Sequence, residues 1–242
     1  MKHYFYPLAL GLITLVGCSK SKSEETPKFD ATGTYTISAT PEPGPIRMFT
    51  QAGEIQNDVI IRRYFERQYA GLPIAWGVIP PFRAAELIFT SPSDAILNTT
   101  APTSGFPPSS SVLVTFSGLT NARAVLTSKN PKSAISPSSS SSKCDNITHD
   151  IQGVSPVYTC TALPPSTGFG TQCDFKPVYV LNLRGEKASL ALMFFYFSAT
   201  VSGGRCGIGG NLFNVLNTTL PPRIAAGDTL VVQEAELPLV KR

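Results

Sequence analysis

The sequence predicts an all-β protein, an antiparallel β-barrel or β-sandwich with one short helix at 57–69. Three observations predict it. Short runs of β-branched and aromatic residues follow one another along most of the chain. Turn formers are plentiful, with 21 Pro and 19 Gly, while charged residues make up only 15%. No strand-then-helix rhythm, the mark of a parallel sheet, occurs anywhere.

The elements follow in order. "ATGTYTISAT" (31–40) alternates and is rich in Thr, Tyr and Ile, so it reads as the first strand; "PEPGP" (41–45) breaks it. "IRMFT" (46–50) is a second short strand and "QAGE" (51–54) a turn. In "NDVIIRRYFERQY" (57–69), Asn57 can cap a helix and Asp58 suits its positive end. Ile60, Ile61, Tyr64 and Phe65 form its apolar stripe. Arg62, Arg63 and Arg67 read as a solvated face, with Asp58–Arg62 at i, i+4 spacing, in preference to an anion site.

Strand-like pieces then run through 85–97, 111–118, 122–128 and 157–161. Residues 178–201 form a hairpin turning at Arg184-Gly185-Glu186-Lys187. "NLFNVLN" (211–217) and "DTLVVQEAEL" (228–237) follow. "TTAPTSGFPPSSS" (99–111) reads as a polar connection and "SAISPSSSSSK" (133–143) as a Ser-rich loop. Within "LALMFFYF" (190–197) both faces of a strand are apolar, so each must be covered. Helix or sheet is the preferred cover, ahead of an apolar ligand or a partner.

Lys2 followed by the apolar run Leu8 to Val16 has the layout of a secretory signal, and is too short for a bilayer core of about 30 Å. Of the five cysteines, Cys144, Cys160, Cys173 and Cys206 lie deep in an exported chain, which predicts two disulfides. A hairpin at Gln152-Gly153 would oppose Cys144 and Cys160, leaving Cys173 for Cys206. Pairing Cys160 with Cys173 is the alternative, closing a loop with Pro164-Pro165. The first is preferred. Zinc is disfavoured, because no CxxC pair occurs and His149 is the only histidine beyond the signal.

The formal net charge of +4 falls to +3 without Lys2, and no dense basic run occurs, which argues against nucleic acid as a partner. His149 has Asp145 and Asp150 near it in sequence but no G-x-S-x-G segment, so a hydrolase triad is not expected. Glu234 and Glu236, two apart on a strand, share a face; a solvated face is the preferred reading over a glycosidase pair. "GGRCGIGGN" (203–211) lacks the strand-to-helix setting of a phosphate loop. No catalytic residue, metal or cofactor is expected.

"LVGC", residues 15–18, resembles the lipobox of bacterial lipoproteins. The resemblance implies a signal peptide over 1–17, diacylglycerol on the Cys18 thiol and acylation of the new amino group. Residues 18–30 would then be a lipidated polar tether, and 31–242 a single β domain. Ser19 resembles the default outer-membrane address of diderm bacteria. Glu24 and Glu25 stand behind Lys20 and Lys22, later than the acidic export cluster of Bacteroidetes-type lipoproteins, so the leaflet stays open.

"GTYTISA", "GPIRMFTQAGEIQNDVIIRRYFERQ" and the terminal "GDTLVVQEAELPLVK" are similar to uncharacterised Bacteroidetes-type lipoproteins, a resemblance that implies an envelope lipoprotein and carries no known activity. Gly33-Thr34-Tyr35 resembles the Gly-x-Trp opening of lipocalin-like barrels. Asp228-Thr229-Leu230 resembles the acceptor of Bacteroidetes O-glycosylation at Thr229, against which a buried strand residue is preferred. The expected function is non-catalytic binding of a hydrophobic ligand or an envelope protein by a lipid-anchored envelope lipoprotein. The alternative is a glycan-binding surface lipoprotein, with Trp76, Tyr64 or Tyr69 as sugar platforms.

Overall fold

A computed structural model of the protein describes residues 29–68, 84–100, 109–117, 123–137, 143–162, 170–201 and 204–242. The signal, Cys18, Tyr69 and Trp76 lie outside the described residues. The fold is all-β, and it is a barrel with an added sheet rather than a sandwich. Eight antiparallel strands close the ring: β1 (Gly33–Ile37), β4 (Ala84–Ser91), β5 (Asp94–Thr100), β6 (Ser109–Ser117), β7 (Arg123–Ser128), β11 (Val178–Arg184), β12 (Lys187–Val201) and β14 (Thr229–Lys241). Two seams shut it. Tyr35 pairs with Lys241 between β1 and β14, and Ser189 pairs with Pro238 between β12 and β14.

Inside the ring, alternate residues point inward and fill the space. Tyr35, Leu87, Phe89, Leu126, Leu181 and Leu192 belong to one cluster in which every buried member is at most 8% exposed. An eight-stranded barrel is about wide enough for its own side chains.

β12 has 15 residues and β14 has 13. At about 3.4 Å per residue both outrun the barrel wall. Their overhanging parts pair with each other and take new neighbours, β13 (Gly204–Leu212) along β12 and β2 (Glu42–Thr50) along β14. β3 (Gly53–Ile55) adds to β2, giving the order β13-β12-β14-β2-β3.

This overhang explains the two-sided "LALMFFYF". Phe195, Phe197, Leu230 and Val232 face a cluster with Cys144 and Ile147 of α2 (Lys143–Asp150), Ile151 just after it, and Leu216, Leu220 and Ile224 of the stretch between β13 and β14. On the other face, Tyr196 and Val231 meet Ile61 and Tyr64 of α1 (Asp58–Gln68). Helices and loop cover the strand, the preferred reading.

Several expectations are corrected. "PEPGP" does not end a strand: Pro43 and Pro45 lie in β2, before its pairing with β3 begins at Met48 and beside the register shift opposite Gln233 and Ala235, a setting that tolerates proline. The segment 85–97 is a hairpin, β4 and β5, turning at Pro92-Ser93. The Ser-rich stretch begins as a strand, β8 (Lys132–Pro137), because β10 (Gly170–Phe175) pairs with it and with β9 (Tyr158–Ala162) in a second sheet. Residues 213–217 are no strand but an irregular cover over the overhang. In α1, Asn57 Oδ1 accepts from the Val59 N–H at 2.9 Å, as expected of a cap, and Ile61 is 1% exposed. Ile60 departs from the stripe, at 47% exposed.

The disulfides are Cys144–Cys206 and Cys160–Cys173. The preferred pairing of Cys144 with Cys160 fails because 143–150 is helical rather than a hairpin arm. Gln152 bridges to Leu216 instead, and Gly153 sits so close that a Cβ would lie 2.8 Å from Val215 Cγ2.

At the β2–β3 hairpin Arg47 grips Glu54, with Nε 2.7 Å from Oε1 and Nη2 3.0 Å from Oε2. This guanidinium, helped by Gln56, holds the Glu54 carboxyl down at about 2 from an ordinary 4.5. A depressed folded-state value adds stability that is whole above pH 4.5 and lost as pH falls towards about 2. Urea unfolding between pH 6 and pH 2 should therefore show Glu54→Gln less stable than wild type at pH 6, the gap shrinking through that window. A constant gap would contradict the coupling.

Candidate functional site

A cleft lined mainly by polar side chains arises from the strand exchange. Along β12 the partner changes from β11, which ends its pairing at Leu190, to β13, which begins at Met193. Along β14 it changes from β2, paired as far as Glu236, to β1, which begins at Leu239. The register of β14 also shifts between Gln233 and Ala235. Gly44 lets β2 approach there, since a Cβ on it would stand 3.0 Å from the Glu234 carbonyl oxygen.

The wall splays open at this junction, leaving a cleft of about 650 Å³ lined by Glu42, Arg123, Asn182, Arg184, Asn214, Glu234 and Glu236, with Ala191 and Val215 among its apolar residues. Ala191 stands opposite Glu236, so its small side chain leaves room above β12.

The cleft is polar but internally tied. Glu236 accepts from Arg184 Nη2 at 2.7 Å, from Ser189 Oγ at 2.8 Å and, more loosely, from Asn182 Nδ2 at 3.4 Å. Glu234 Oε1 accepts from the Leu216 N–H at 2.9 Å. Asn214, 1% exposed, donates to the Val154 carbonyl at 2.7 Å and accepts from the Val154 N–H at 3.1 Å, pinning the loop after α2. The two glutamates are thus half-buried and hydrogen-bonded, which corrects the solvated-face reading. Arg184 is 76% exposed on the rim, and Glu42 is exposed beside it. None of the described lining residues is aromatic.

No family model, curated protein or solved structure matches this chain.

The other residues singled out in the sequence lie apart from the cleft. His149 is exposed at the end of α2, 3.4 Å from Asp150, with its ring 5.0 Å from that of Tyr158. Burial raises the Tyr158 phenol above its usual value. Tyr64 is half-buried beneath α1 with its hydroxyl near Ser198 and Thr229, and burial raises that phenol too. Its ring offers no open platform for a sugar. Thr229, 7% exposed, opens β14 opposite Ser198. Among the described residues no group of three or more His, Cys, Asp or Glu is placed to hold a metal. No described helix is long and apolar enough to cross a membrane.

Arg184, Asn182 and Asn214 carried no signal in the sequence. They become neighbours of Glu236 and Glu234 only through long-range register.

Proposed function

We propose that this chain is an envelope lipoprotein, acylated on Cys18, that binds another envelope protein without catalysis. The observation that carries the reading is the packed barrel. Its interior is occupied by the protein's own apolar side chains, which speaks against the hydrophobic ligand of a lipocalin-like barrel and moves recognition to the outer wall. The junction cleft offers carboxylates, guanidinium groups and amides side by side, a lining that suits a charged protein loop. A glycan is less well served, because sugar stacking favours aromatic rings.

A photo-crosslinking residue in place of Glu42, expressed in cells whose envelope holds the natural partner, tests this. The expected result is one protein adduct, weakened at least about tenfold when Arg184→Glu is added, because like charges then meet at the rim. An adduct unchanged by Arg184→Glu, or none formed, would overturn the cleft as the binding surface.

A further inference from the structure

The two disulfides differ in how far they are buried. Cys144, 4% exposed, sits in the core beneath the overhang and joins α2 to the half-buried Cys206 of β13, 62 residues away, where Cys206 packs against the same cluster. Cys160 is exposed and Cys173 half-buried, in a bond spanning only 13 residues. They stand directly opposite each other in the β9–β10 ladder. Thiol–disulfide exchange requires a thiolate to reach a sulfur along the bond axis, so access decides which bond reacts.

The surrounding sheet lets that bond open without unfolding. β10 is held by five residue pairs to β9 and by six to β8, and these ladders do not depend on the sulfurs. Among the described residues, no side chain of β8, β9 or β10 belongs to the core clusters. With the strands still in register, the two freed thiols remain facing each other, so closure is as local as opening. On the same face, two residues along each strand, Tyr158 pairs with Phe175 at 5.1 Å between ring centroids, and the His149 ring lies against Tyr158. That half-buried aromatic strip is a surface on which a reacting partner can rest beside the sulfurs.

We propose that Cys160–Cys173 is a reversible thiol–disulfide exchange site for a dithiol reagent or dithiol oxidoreductase, while Cys144–Cys206 is purely structural. A thiolate of the dithiol attacks the exposed Cys160 sulfur; the Cys160–Cys173 bond breaks, a mixed disulfide forms, and Cys173 leaves as the thiolate and takes up a proton. The second thiol of the reagent, as its thiolate, then attacks the mixed disulfide and releases Cys160. Two electrons and two protons pass to the protein, and the dithiol leaves as a disulfide.

The test uses the oxidised wild-type chain in native buffer. It is exposed to graded dithiothreitol, alkylated with iodoacetamide and mapped by peptide mass spectrometry, with far-ultraviolet circular dichroism recorded alongside. Cys160 and Cys173 should become alkylated at least about tenfold faster than Cys144 and Cys206, with the β signal unchanged, and oxidised glutathione should restore the bond. In Cys160→Ser with Cys173→Ser the fast phase should vanish while the slow one stays. Equal rates, earlier opening of Cys144–Cys206, no opening while the chain is folded, or loss of the β signal as Cys160–Cys173 opens would each overturn the proposal.

Discussion

Phe195→Ala is expected to cost about 3–5 kcal/mol, a large share of the stability of an ordinary domain. Phe195 is 2% exposed and lies where the overhang of β12 meets α2. Its neighbours cannot close the gap freely: Ile147 is fixed by a helix that Cys144 ties to β13, Ile151 by its N–H on the Ile147 carbonyl, and Leu230 and Val232 by the β14 ladder. Chemical denaturation should show a lower midpoint with little change in slope, since the surface exposed on unfolding hardly alters. Val157→Ala is the control. Val157 is 82% exposed, and its truncation should fall within about 0.5 kcal/mol of wild type. Equal losses at the two positions would mean that the overhang is not packed as described.

Removing the Cys144–Cys206 disulfide should be the second large effect. Cys144→Ser with Cys206→Ser frees a 62-residue loop, for which chain entropy gives a loss of about 4 kcal/mol. The consequence should be regional. The bond joins α2 to the edge strand β13, so both should lose hydrogen-exchange protection, while barrel strands such as β4 and β5 keep theirs. Uniform loss of protection would show that barrel and overhang unfold as one unit.

What the sequence disclosed, and what it hid, divides along the range of the interactions. The hairpin at 184–187 was readable because Arg184 pairs with Lys187 around Gly185, whose φ of 63° suits a residue without a Cβ. α1 was readable because Asn57 is a local cap. α2 was not: Lys143–Asp150 carries Asn, Asp and Thr, poor helix formers, directly after a serine run. The apolar stripe of Cys144 and Ile147, continued by Ile151 just past the helix, makes sense only against Phe195 and Phe197.

The disulfide pairing is hidden with it, because a hairpin at 152–153 opposes Cys144 to Cys160, whereas the helix at 143–150 joins Cys144 to Cys206. β8 was hidden too, since Ser-rich segments become strands only when a partner such as β10 supplies the ladder. The junction cleft lay furthest from view. Glu236, Arg184 and Asn182 come together where β12 and β14 exchange neighbours, and no window of sequence encodes that exchange.

The most direct measurement is native mass spectrometry of the protein extracted gently from the membrane of a lipoprotein-processing host that carries its natural envelope partners. The account predicts a chain beginning at Cys18 with acyl chains, carrying the mass of a second protein and no additional small apolar molecule. A chain that keeps its first 17 residues, or one that releases a small hydrophobic molecule on unfolding, would contradict it.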